Sequence, residues 1–181
     1  MTGCANFYVD PATKDVPVAE MRKPATPKPV QLVFEFQNQG APVARATEFL
    51  QGAVKAQVEQ SGLFASVQTE PSADAPILNV VLNNIPIDMN TNKAFLTGLT
   101  FGAAGSTAID GYVCTVSYLA AGQSQPIVKT ARNAIHTTLG SARAPAGMRK
   151  AESLEQAVRQ MSHAVISNAL RDLSLDSGFG N

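Results

Sequence analysis
Few side chains in this sequence can move a proton or attack an electrophile, and their spacing forms no known catalytic pattern. There are two histidines, His136 and His163, and two cysteines, Cys4 and Cys114. Ser106 is the serine that a nucleophile search meets first. Residues 104–108 read Ala-Gly-Ser-Thr-Ala, so the glycines that let a backbone turn sharply around a nucleophile are missing. Ser106, His136 and Asp110 have the residue types of a triad, and a small hydrolase using Ser106 and His136 is the alternative reading, resting on identity alone. Gly98, Gly102 and Gly105 lack the Lys-Ser/Thr that ends a phosphate loop, and their spacing is not that of a dinucleotide fingerprint. The histidines and cysteines are too far apart for a metal-ligand set. The expectation is a protein that is not an enzyme and carries no cofactor and no metal. His136 and His163 are expected at the surface.

The other chemistry is at the start. Met1-Thr2-Gly3-Cys4-Ala5 places two small residues before a cysteine, which resembles the end of a bacterial lipoprotein signal peptide. The apolar stretch that precedes such a motif is not in this sequence, and Met1 reads as a start placed where it was removed. The resemblance implies lipidation of Cys4. Each buried methylene of an acyl chain contributes roughly 0.8 kcal/mol, so two or three chains anchor firmly. In the family, residues other than Asp after the cysteine direct the protein to the outer membrane, so Ala5 implies a protein anchored there and facing the periplasm. Cys4 and Cys114 are expected to have separate fates rather than to form a disulfide.

Composition narrows the classes. The chain has 181 residues, zero formal net charge, 15 % charged residues and no tryptophan. That argues against a nucleic-acid partner, which rewards a basic face and stacking aromatics. No apolar run reaches the ~18 residues of a membrane span.

Residues 5–29 carry five prolines and little apolar periodicity, the composition of a semi-rigid tether. Residues 1–29 are therefore expected to be a lipidated N-terminus and spacer, 30–173 a single domain, and 174–181 a flexible tail. Val30 to Gln37 alternates as a half-buried strand, with Leu32, Phe34 and Phe36 on one face. Pro42 suits a first helical position. Val43, Ala46, Leu50, Ala53, Val54 and Val58 form a helical stripe that Gly62 ends. Leu63 to Gln68 is a short strand candidate and Ile77 to Ile85 a strong one. Gly111 to Leu119 puts Tyr112, Cys114, Val116 and Tyr118 on one face. Ile127 to Leu139 is a long strand with Ile127, Ala131, Ile135 and Leu139 aligned. Ser141 to Arg149 is a loop. A last helix from about Ala151 to Leu173 carries Leu154, Val158, Met161, Val165 and Ala169. This order predicts an α+β, two-layer domain: a mostly antiparallel sheet packed against two amphipathic helices.

Ser61-Gly62-Leu63-Phe64, then Val67, Ala73-Asp74 and a hydrophobic strand, resemble envelope lipoproteins of the TolB amino-terminal, CsgG and LpoB-like group. The resemblance implies a periplasmic interaction module with a protein partner and transfers no catalytic residue. Two surfaces are expected to matter. The apolar, glycine-rich residues 94–109 read either as a buried connector or as an exposed loop, with Leu96, Leu99 and Phe101, that meets a partner, an apolar ligand or a bilayer. Arg143, Arg149 and Lys150 form a basic cluster suited to anionic headgroups or an acidic partner.

Overall fold
The structure is a computed structural model and describes residues 5–87, 107–140, 142–144 and 146–180. Cys4, Leu96, Leu99, Phe101 and Ser106 lie outside the described residues. Eight strands, β1 (Ala5–Val9), β2 (Val30–Asn38), β3 (Ala41–Pro42), β4 (Val67–Gln68), β5 (Ile77–Pro86), β6 (Thr107–Leu119), β7 (Ile127–Leu139) and β8 (Arg149–Ala151), form one sheet. Its order is β3-β2-β5-β6-β7-β1-β8, with β4 also on β2. β2 runs parallel to β4 and β5, and the remaining pairs are antiparallel. Helices α1 (Ala44–Gln60) and α2 (Leu154–Leu175) pack on the sheet. The fold is the expected α+β architecture.

Alternation explains the core. Leu32 and Phe36 on β2, Leu78, Val80 and Leu82 on β5, and Tyr112, Cys114, Val116 and Tyr118 on β6 are buried with Leu50, Val54 and Val58 of α1 and Met161, Val165 and Leu170 of α2. Fully burying each such aliphatic side chain contributes about 1.5–3 kcal/mol. Ile127, Ala131 and Ile135 of β7 join this core, but Leu139 is exposed.

The helix starts differ from expectation for local reasons. Gln39 and Gly40 both have positive φ, 52° and 82°, which suits a tight hairpin whose twist matches its strands. Pro42 therefore continues as an edge strand opposite Gln37, where its missing N–H costs nothing. Helix α1 starts two residues later, with Val43 as an N-cap that supplies no side-chain bond. Thr47 ties the first turn to β2: its Oγ1 accepts from the Phe36 N–H at 2.9 Å and donates to the Val43 carbonyl at 3.1 Å. Gly62, at φ 69°, ends α1 as expected. In α2 the Ser153 hydroxyl accepts from the Gln156 N–H at 3.1 Å. This cap moves the helix start past Ala151, which closes β8 instead and lies opposite Phe7.

Both chain ends depart from the expected layout. Residues 5–29 are not a free spacer. β1 sits inside the sheet between β7 and β8, and Val9 is part of the core. The proline-rich residues after it strap across α2. The Val16 N–H donates to Ser167 Oγ at 2.9 Å, Asn168 Nδ2 donates to the Lys14 carbonyl, and the Arg22 N–H donates to Ser174 Oγ. Val16 and Met21, both within the strap, are buried. Nor is the C-terminal segment loose. Phe179 is buried, with its ring centroid 5.1 Å from Tyr118 and 5.8 Å from Phe64, both edge-on.

Candidate functional site
Three places concentrate chemistry among the described residues. The first is closed. His136, expected at the surface, is 1 % exposed, as is Asp10. Its Nε2 lies 3.1 Å from Asp10 Oδ2, and Asp10 Oδ1 accepts from the Ala12 N–H. The pleat explains the pairing. Tyr8 of β1 stands opposite His136 of β7, and Asp10, two residues on, returns to the same face. His136 Nδ1 and Thr138 Oγ1 are buried without a partner, each an unmade bond costing about 1–3 kcal/mol.

This geometry takes the triad reading apart. Asp110 stands opposite Ile135, not His136, so the pleat sends the two side chains to opposite faces of the sheet. Burial raises the Asp110 carboxyl above its ordinary value. Burial, and then the charge of Asp110, raise the Tyr112 phenol. His163 is the surface residue expected, half-exposed, with Nδ1 3.0 Å from Asp15 Oδ1. Cys114 is a free, buried thiol pushed up to about 12 by desolvation, which makes it a packing group and not a nucleophile. Among the described residues, no cluster of three or more His, Cys, Asp or Glu could hold a metal, and no helix is long and apolar enough to cross a membrane.

The second place is the basic edge. Arg143, Arg149 and Lys150 are all exposed. Arg149 and Lys150 are consecutive on β8, so they point to opposite faces and do not form one patch. β8 ends the sheet, and no strand among the described residues covers its outer side.

The third place carries no motif. A groove of about 600 Å³ lies between the first turns of α1 and α2 and one end of the sheet. Phe36, Val43, Ala46, Phe49, Leu50, Tyr112, Leu154 and Val158 form its apolar lining, with Arg45, Asn84 and Glu155 among them. Phe49 and Leu154 remain 38 % and 43 % exposed. The Arg159 guanidinium stacks 4.2 Å from the centre of the Phe49 ring. Asn84 hydrogen-bonds the Tyr112 side chain, and Asn84 Oδ1 is buried without a partner. By helical spacing Val43 and Leu154 belong to core stripes. Their extra apolar surface at the helix starts was the only signal of an opening.

No family model and no curated protein matches the chain. Solved structures similar to it include a minor lipoprotein from Acinetobacter baumannii at 15 % identity and TM-score 0.36, covering 81 % of this chain and 89 % of that one. They also include a PelC dodecamer from Paraburkholderia phytofirmans at 13 % identity and TM-score 0.37, covering 94 % and 98 %, and the rare lipoprotein B from Shewanella oneidensis at 12 % identity and TM-score 0.33, covering 81 % and 88 %. Likeness at this level transfers no functional residue.

Proposed function
We propose that this chain is a non-enzymatic lipoprotein of the outer membrane, anchored through Cys4. Its domain faces the periplasm as a binding or assembly module of a secretion, transport or cell-wall complex. The observation that carries this reading is the position of β1. Ala5, the residue after Cys4, is already paired with Leu139 of β7. An acylated Cys4 therefore holds this end of the sheet against the bilayer surface, with no spacer between anchor and domain. The outer side of β8 then offers an edge to which an envelope protein can add a strand. Arg149 and Lys150 on that edge discourage indiscriminate pairing.

The test is fractionation of the precursor with its signal segment, grown with labelled fatty acid, wild type against Cys4→Ala. The expected result is a labelled wild-type protein in the outer-membrane fraction and an unlabelled, soluble variant. An unlabelled wild type would defeat the proposal.

A further inference from the structure
We infer that the groove between α1 and α2 binds a long-chain fatty acid, with the carboxylate at Arg45 and the acyl chain along Phe49, Leu50 and Val158. Size comes first. Eleven residues line the groove, whereas a stable protein interface takes roughly 20–30 residues on each side. Its volume of about 600 Å³ falls within the ~300–1,000 Å³ of small-molecule sites. One extended hydrocarbon chain suits that size better than a protein segment.

Charge then selects the head. Arg45 has no ion-pair partner among the described residues. It stands in the first turn of α1, which holds no acidic residue, so the helix dipole disfavours its cation there. The first turn of α2, by contrast, holds Glu155, an acid where the dipole favours one. The groove's one carboxylate is therefore already in a favourable field, and the uncompensated charge is Arg45. Arg159, stacked on Phe49, adds a second cation at the rim. An anion at Arg45 relieves an unfavourable placement that no acidic side chain among the described residues answers. The inference does not depend on the anchor at Cys4, because every residue that lines the groove belongs to the described part of the domain.

The test uses the purified, delipidated chain and cis-parinaric acid, a fatty acid whose fluorescence rises in apolar surroundings. The expected result is saturable binding of one molecule per chain, displaced by palmitate and not by hexadecyltrimethylammonium, which has the same tail and the opposite charge. Arg45→Glu replaces attraction by repulsion and should weaken binding about tenfold, equivalent to about 1.4 kcal/mol. Ala46→Trp should block the groove, while Arg143→Glu serves as the control that leaves binding unchanged. Circular dichroism and urea unfolding check that the variants fold, because Arg45 is exposed but Ala46 is partly buried against the core. No saturable binding, equal displacement by the cationic amphiphile, or unchanged affinity in Arg45→Glu would each overturn the inference. Binding of an acidic amphipathic peptide in place of palmitate would overturn it as well and assign the groove to a protein partner.

Discussion
The Asp10–His136 pair and the α1–α2 groove are opposites. The pair holds the residue types most often associated with catalysis, yet both side chains are sealed from solvent. The groove is built mainly of phenylalanine, leucine and valine, with an arginine that has no ion-pair partner among the described residues, a pattern that matches no motif, yet it is open. Residue identity and accessibility are thus separate questions. At the pair, burial turns potential acid–base chemistry into a fastening between β1 and β7. At the groove, the helix starts and the sheet end leave apolar surface open among the described residues.

The comparison can be broken by substitution. The largest effect is expected at the pair. Asp10→Ala leaves a buried imidazole without its partner and the Ala12 N–H without its acceptor, and should cost about 4 kcal/mol of unfolding free energy from two lost bonds of ~1–3 kcal/mol each, read by urea denaturation. Hydrogen exchange should accelerate first in β1. A change within error would show that the pair does not fasten the strand. Phe179→Ala comes next, at about 3 kcal/mol, because a buried ring is lost from the cluster with Phe64 and Tyr118. A loss near zero would restore the view of residues 174–181 as a loose tail.

Asp110→Asn should stabilise, by less than either loss. Burial raises the folded-state value of this carboxyl, so folding favours its protonated form. Below the unfolded-state value both states hold the proton and the variant gains nothing. As pH rises through the folded-state value, the acid opposes folding and the amide does not. Melting temperatures of the two proteins should therefore agree at acid pH and separate toward neutral pH. A constant difference would assign the effect to packing. The smallest effect is expected at the groove rim. Leu154→Ala should change stability by no more than about 0.5 kcal/mol, as for an exposed position, while weakening parinarate binding. A large stability loss there would make the rim part of the core and blur the contrast with the pair.

Legibility in the sequence followed the range of the interactions. Leu32 and Phe36, Leu78 to Leu82, and Tyr112 to Tyr118 declare their faces through alternation alone, and Leu50, Val54 and Val58 through helical spacing. β1 was not legible. Its five residues are too short for a periodic signal, and five prolines follow it. What holds this end is bonding to distant partners, from Asp10 to His136 and from Val16 to Ser167. His136 shows the same limit from the other side. Strand alternation assigned it to the face opposite Ile135, and nothing local says that this part of the face is covered. The groove was hidden because Val43 and Leu154 fit helical stripes whose burial depends on where the neighbouring element stops.

Periods of two or 3.6 within single segments specify the fold class, both amphipathic helices, the long strands and the core faces of those elements, though not Val9, Met21 or Phe179, which also join the core. The amino-acid sequence by itself also supplied the cysteine motif on which the anchor proposal rests. Tertiary structure alone decided that residues 5–29 belong to the domain, that His136 is paired and sealed, that Asp110 stands on the other face of the sheet, and that an apolar groove remains open. Each of these depends on which surfaces meet between separate segments of the chain, and no local pattern records that meeting.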